Sequence, residues 1–263
     1  KGNVIDPLDI IDSYGADALR FTLANLSTQG RDIKLSDKLV KNSRNFITKL
    51  WNVARFSQVN HFVYNKKFSP ENNNLIINQW ILSKLVDTQT KVLKNLKKYK
   101  FNLIISDLYH FIWNDFCDLY IELCKYYLKK GQKEKKEISD NFSFIFKIIL
   151  NLINPIIPFV TEKIAKELNY IKGSLYNQKL IKDKFKQKNI RKIVEFEKTI
   201  ELIKQIRFEL DGEYNKENKN SLNIFSQKRV SWVDNNSFLL NSMFNFNEIK
   251  YNQSLKDAKK NIF

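Results

Sequence analysis

Glycine and proline are scarce in this sequence, with six and four among 263 residues. Sheets and tight turns normally demand more of both, so long helices are expected. Cysteine is nearly absent too. Cys117 and Cys124 stand seven apart in a helical pattern, which puts their Cα atoms roughly 10 Å apart along the axis, too far for a disulfide. Buried free thiols in a reducing compartment are expected instead. Two histidines and two cysteines without close pairs do not make a zinc site. No apolar run approaches the ~20 residues of a membrane helix. The longest candidate, near Ile145 to Val160, is broken by Lys147, Asn151, Asn154 and two prolines. No signal pattern opens the sequence, no GxGxxG or GxxxxGK occurs, and no internal repeat is visible.

Lysine is what the chain has in excess. Lys and Arg number 45 against 28 Asp and Glu, a net charge of +17. Such an excess favours a polyanionic partner through counterion release. The richness in Lys, Asn and Ile is equally what AT-rich coding produces, so charge alone leaves solvated lysine faces as an open alternative.

Apolar spacing predicts a series of helices. The first covers Asp17 to Ser27. A short strand follows at Arg31–Leu35, then a long helix capped by Ser36 or Asp37 and running to about Asn60. Further helices are expected at Leu75 to Tyr99, Asn102 to Lys130, and Ser139 to Ile153, where Asn154-Pro155 stops the pattern. Pro158 fits the first turn of another helix, ending near Asn169. The polar stretch Gly131–Glu137 reads as a turn. Lys179–Lys192 is strongly basic and reads either as an RNA-facing strip or as a solvated linker. A helix at Asn189–Leu210, a loop at Gly212–Asn220, and strand, helix, strand at Ser221–Ser226, Ser231–Met243 and Phe246–Tyr251 close the chain. The fold class is mainly α: a helical bundle with a small α/β C-terminal appendage.

Catalytic arrangements are missing from this pattern. His110 and Cys117 share a helical face but lie about two turns apart, too far for a nucleophile–base pair, so His110 is read as a polar residue at a helix interface. Asp115, Asp118 and Glu122 share one helix and are read as ion-pair or hydrogen-bond partners. Trp51 and Trp113 are read as core.

Several motifs carry a family likeness. Lys1-Gly2-Asn3-Val4-Ile5-Asp6-Pro7 and Gly15-Ala16-Asp17-Ala18-Leu19-Arg20 resemble the segment following the KMSKS loop of class I aminoacyl-tRNA synthetases. Gly30-Arg31-Asp32-Ile33-Lys34-Leu35, Lys49-Leu50-Trp51-Asn52-Val53-Ala54-Arg55-Phe56, Trp113-Asn114-Asp115-Phe116-Cys117-Asp118 and Asn154-Pro155-Ile156-Ile157-Pro158-Phe159-Val160-Thr161-Glu162 resemble the valyl branch. In the last, Asn154 replaces the branch's His. The likeness is strong over residues 1–165 and faint beyond about 210.

The resemblance implies a piece of a larger enzyme that starts just after the signature loop and is itself inactive. It implies a stem-contact connector at 1–35, a helical anticodon-binding domain at 36–170, and a linker, helix and small α/β subdomain at 171–263. The implied partners are tRNA(Val) and the catalytic and editing domains of the same enzyme, with no membrane. ATP with magnesium belongs to the parent enzyme and no cofactor to this piece. The implied location is cytoplasmic. The implied anticodon-binding residues are Phe56, Arg55, Asn52, Lys49 and Lys38, with Arg20 as a weaker tRNA-stem contact. Lys49, Asn52 and Phe56 fall at i, i+3 and i+7 on one face. Phe56 would stack on a splayed base while Arg55, Asn52 and Lys49 bond its edge. Lys38 stands where the branch often has Arg, and lysine lacks the planar fork. Spacing alone is equally satisfied by Phe56 as the last core residue of an amphipathic helix and Lys49 as a surface lysine. The alternatives are the same region of the isoleucyl or leucyl members, or a basic helical scaffold that docks a protein partner.

Overall fold

A computed structural model describes residues 6–28, 33–178, 189–209, 220–225, 230–244 and 246–252. The chain opens with α1 (Pro7–Tyr14) and α2 (Ala16–Leu26). Asp6 caps α1 by accepting from the Leu8 N–H at 2.8 Å, and Pro7 takes the first helical position, where its missing donor costs nothing. Gly15 joins the two helices at φ +88°, a conformation that a side chain would strain. The sequence pattern missed α1.

The bundle itself is α3 (Asp37–Val59), α4 (Ile76–Leu96), one long helix from Phe101 to Leu128, α7 (Gln132–Ile153) and α8 (Pro158–Glu167). In α3 the buried residues Val40, Ser43, Phe46, Ile47, Leu50, Val53, Ala54 and Ser57 form one stripe, as helical period demands. Ser36 is its N-cap, yet its side chain makes no capping bond. The long helix is α5 (Phe101–His110), a π-helical stretch (Phe111–Tyr120) and α6 (Ile121–Leu128). The i→i+5 pattern shows at its end, where the Ile121 N–H donates to the Phe116 carbonyl. Wide π turns mark inserted residues and often functional sites.

Few glycines are available to stop these helices. His61, Tyr99 and Asn169 take the left-handed stop position instead, at φ 55°, 55° and 56°. Each closes its helix with the paired bonds of a Schellman turn: after α3, Phe62 N–H to Ser57 O and His61 N–H to Gln58 O, both 3.0 Å.

Helix α9 (Ile190–Glu209) packs on α4, with Phe196 edge-on to the fully buried Trp80 (6.0 Å) and Lys84 paired to Glu197 (2.6 Å). The appendage is β1 (Asn220–Phe225), α10 (Ser231–Asp234), α11 (Ser237–Phe244) and β2 (Phe246–Asn252). Its two strands are parallel, joined through the short helices. No described helix is long and apolar enough to cross a membrane.

Several expectations are corrected. Ile33–Leu35 form no strand, and Arg31 and Asp32 lie outside the described residues. Gly131–Glu137 is no turn: α7 starts at Gln132. Its early turns are aligned by Glu137, whose carboxylate accepts from the N–H groups of Asn74 (3.0 Å) and Leu75 (2.8 Å) at the start of α4. The single helix expected at 231–243 is split at Asn235-Asn236. The basic stretch Lys179–Lys192 falls mostly outside the described residues, as does the loop expected at 212–220.

Candidate nucleic-acid interface

The first tie between motifs is structural. Asp17, buried in α2, accepts from the Val160 N–H at 2.8 Å and the Phe159 N–H at 3.3 Å. It thereby caps α8, whose own N-cap residue, Ile157, makes no capping bond. Burial pushes the Asp17 carboxyl above its ordinary value, against the pull of those two N–H groups, Arg20 and Arg44. Arg20 donates from Nε to the Ile156 carbonyl and from Nη2 to the Pro155 carbonyl, both at 2.9 Å. Asp17 and Arg20 thus clamp the turn that precedes α8. A tRNA contact by Arg20 would have to use its remaining N–H groups.

Helix α3 presents the other five candidates along one side, and they are not equivalent. Asn52, Arg55 and Lys38 are exposed. Lys38 and Lys49 are eleven residues apart, roughly 16 Å along the helix, so Lys38 does not join the others in one cluster. Lys49 is half-buried. Its ammonium sits 2.8 Å from Asp118 Oδ1 and 4.9 Å from the centre of the Trp113 ring. Phe56 is also half-buried. Its ring meets Phe62 edge-on (5.8 Å, 81°) and Phe142 at a tilt (5.7 Å). Phe56 is therefore a core-edge residue with limited free surface, and the spacing argument alone could not separate that from a stacking platform.

Two features near these residues escaped the sequence reading. One is an aromatic ladder. Phe21 stacks on Phe46 (4.8 Å), Phe46 on Tyr109 (5.2 Å), and Tyr109 lies nearly parallel to Trp113 (5.5 Å, 12°). Trp113, expected in the core, is only half-buried, as is Trp51; Trp80 is the tryptophan at the centre. The signal was the i, i+4 aromatic pair 109/113, of which only Trp113 was singled out, as core. The other is an open cleft of about 610 Å³ at the C-terminal end of α3, lined by Lys66, Lys67, Lys135 and Lys136 beside His61.

The remaining titratable groups serve structure. Asp118 holds Lys49, and Glu122 pairs with Lys125 at 2.6 Å. Burial raises the Asp115 carboxyl, opposed by Lys204, Lys84 and His110. His110 is no helix-interface residue: it is exposed, its Nδ1 within 3.2 Å of Asn114 Nδ2. Cys117 is buried, so the two share no face, the π turn between them having changed the angular count. Burial pushes the Cys117 thiol up to about 12 and that of Cys124 higher still. Both cysteines are free.

Comparison with known proteins fits this arrangement. The family described as "Anticodon-binding domain of tRNA ligase" matches residues 78–224, and "tRNA synthetases class I (I, L, M and V)" matches residues 1–36. Helix α3, with its five candidates, lies between the two spans. Valine–tRNA ligase of Pelagibacter ubique (strain HTCC1062) is 45% identical over 165 residues, which is 62% of this chain and 19% of that protein. The enzyme of Rhizobium meliloti (strain 1021) is also 45% identical over 165 residues, 62% of this chain and 17% of that protein. The chain thus spans about a fifth of the length of the curated relatives it matches. Among solved structures, the ternary complex of Agrobacterium radiobacter K84 agnB2 LeuRS-tRNA-LeuAMS shares the fold, with TM-score 0.52 and 19% identity over 66% of this chain and 21% of that one. By sequence and fold, this chain belongs to the anticodon-binding domain family of the class I tRNA ligases.

Proposed function

We propose that this chain is the tRNA-reading part of a valine–tRNA ligase, with residues 36–170 taking the anticodon of tRNA(Val) on the outer side of α3. The parent enzyme would activate valine with ATP and esterify it to that tRNA in the cytoplasm. Residues 1–35 would join the catalytic part to the bundle, and 171–263 would supply a linker, the helix α9 packed on α4, and a small α/β subdomain. The observation that carries the reading is the placing of exposed Asn52 and Arg55 on α3 beside the half-buried ring of Phe56. Single-stranded bases are recognised by that combination of edge donors and aromatic faces. The lysine cleft next to Phe62 would take phosphates, which position the RNA without specifying it.

ATP and magnesium do not suit the residues present. The described residues contain no group of three His, Cys, Asp or Glu that could hold a metal ion, and the sequence has no glycine loop to cradle phosphates. Activation of valine with ATP would belong to the catalytic part of the parent enzyme.

Filter binding of tRNA(Val) at two salt concentrations tests the reading. Affinity is expected to fall by at least about tenfold between ~50 and ~200 mM salt, as several phosphates release their counterions, and to exceed that for isoleucine and leucine tRNAs. No binding, or binding indifferent to salt, would point to an apolar docking scaffold instead. Preference for isoleucine or leucine tRNA would move the chain to those enzymes.

A further inference from the structure

One hollow in the molecule differs from the rest of this basic surface. It lies between α2, α3 and the end of α5, has a volume of about 570 Å³, and contains no Asp, Glu, Lys or Arg in its lining. That volume falls within the range of small-molecule sites, about 300–1,000 Å³. Its floor is the outer end of the aromatic ladder, where Tyr109 and Trp113 lie near-parallel above the buried Phe46. Its walls carry the amides of Asn25, Asn42 and Asn45 and the ring of His110. The three asparagines are exposed. Lys38 and Lys41 stand exposed on the turn of α3 beside Asn42, and Lys49, outside the lining, holds its ammonium 4.9 Å from the centre of the Trp113 ring.

These features select a ligand chemistry. A wall without fixed charge, in a chain of net charge +17, is unsuited to a phosphate or a carboxylate. A flat, neutral heteroaromatic ring fits it: two parallel rings offer a stacking face, and each amide offers a donor and an acceptor on one planar group, the pairing that reads a base edge. Lysines lie outside the hollow, where the sugar–phosphate chain of such a ring would pass.

We infer that this hollow binds one unstacked nucleobase of the RNA, with Tyr109 and Trp113 as the stacking floor and Asn25, Asn42 and Asn45 as readers of its edge. The inference rests on the tRNA reading above and moves the main stacking surface away from Phe56, whose ring is already engaged by Phe62 and Phe142. Burial and Asp118, against the pull of Lys49, raise the Tyr109 phenol further above its ordinary value, and like any phenol below that value it donates at neutral pH.

The test uses the whole chain, its Tyr109→Leu and Asn42→Ala variants, intact tRNA(Val), and transcripts with a single abasic site at each anticodon-loop position. Each substitution is expected to weaken binding of the intact tRNA about tenfold or more, the scale of a lost base stack. The loss should vanish on one and the same abasic transcript. Asn42 lies on an exposed helix position, so if Tyr109→Leu lowers the melting temperature, Asn42→Ala carries the test alone. Unchanged affinity for intact tRNA, or losses that persist on every abasic transcript, would overturn the assignment. If the native chain discriminates among tRNAs while neither substitution matters, the hollow falls and the tRNA reading stands. If the native chain binds no tRNA, both fall.

Discussion

Asp17 does the work of a missing cap. It reaches from α2 to the first turn of α8 and replaces the N-cap side chain that Ile157 cannot provide. Its carboxyl is raised above the ordinary value because burial outweighs two N–H donors and two arginines. The folded state therefore binds more protons than the unfolded one between the ordinary aspartate value and the raised one. Stability contributed by this group is present below that window and lost as pH rises through it. Comparing native and Asp17→Asn proteins by urea unfolding across that range should show the native advantage shrinking as pH rises; an advantage that grows would contradict the assignment. A second buried site is the chain of bonds from Asn141 Nδ2 to the Tyr120 hydroxyl (2.9 Å), and from that hydroxyl to Asn78 Oδ1 (2.7 Å). Tyr120→Phe leaves Asn141 Nδ2 and Asn78 Oδ1 without this partner in the core, while the other ends of the two amides stay bonded to Asn73 and Glu137, and should cost about 1–3 kcal/mol in urea unfolding; an unchanged midpoint would show that the network adds nothing. At this scale the sequence was partly readable. Asp17 and Arg20 stood in a recognisable motif, but the turn they clamp before α8 lies 135 to 143 residues away and could not be read from it. The open side of Tyr109 and Trp113 could not be read either, because helical spacing says which side of a helix faces inward, and not which edge of an inward ring is left uncovered.

Among elements, the helices were legible because their apolar stripes are long and glycine is rare. Where they stop was less so. Without glycine, the chain ends α4 on Tyr99, a 75% exposed residue held at φ 55°. The left-handed conformation costs an L-residue about 1–2 kcal/mol, while glycine pays back about 0.5–1 kcal/mol in unfolded-state entropy. Tyr99→Gly should therefore stabilise the protein by up to about 1 kcal/mol, read as a higher urea midpoint, whereas a lower midpoint would mean that the tyrosine ring contributes more than its backbone costs. The π stretch in 111–120 and the early start of α7 were invisible for related reasons: a π turn leaves no composition signature, and the first turns of α7 are polar because Gln132, Lys133 and Lys136 are exposed, while Glu137 is tied to the start of α4. Helix α3 divides its candidates by exposure. Arg55→Ala and Asn52→Ala should weaken tRNA(Val) binding by about 1–3 kcal/mol with unchanged melting temperature. Phe56→Ala should also lower the melting temperature, because it empties a site against Phe62 and Phe142. Loss of melting temperature without loss of tRNA affinity would make Phe56 purely structural.

Over the whole molecule, the mainly helical class, the bundle and the small α/β appendage follow from periodicity, while the parallel pairing of its two strands and the placement of charge do not. A count of lysines cannot say that Lys66, Lys67, Lys135 and Lys136 face one cleft, since two of them lie in a loop and two in a helix seventy residues on. Nor can it say that a hollow free of charge opens a short way along α3. These two surfaces give the account its shape: phosphates held by lysines for affinity, bases read by amides and rings for selection. The most direct measurement is the ratio of dissociation constants for tRNA(Val) and the same tRNA with its second and third anticodon bases changed, taken at one salt concentration. A ratio of about tenfold or more in favour of the unchanged anticodon is expected, the least that losing one good base contact implies. A ratio of one, with salt-sensitive binding to both, would contradict it and leave this chain a basic RNA surface without a reading site.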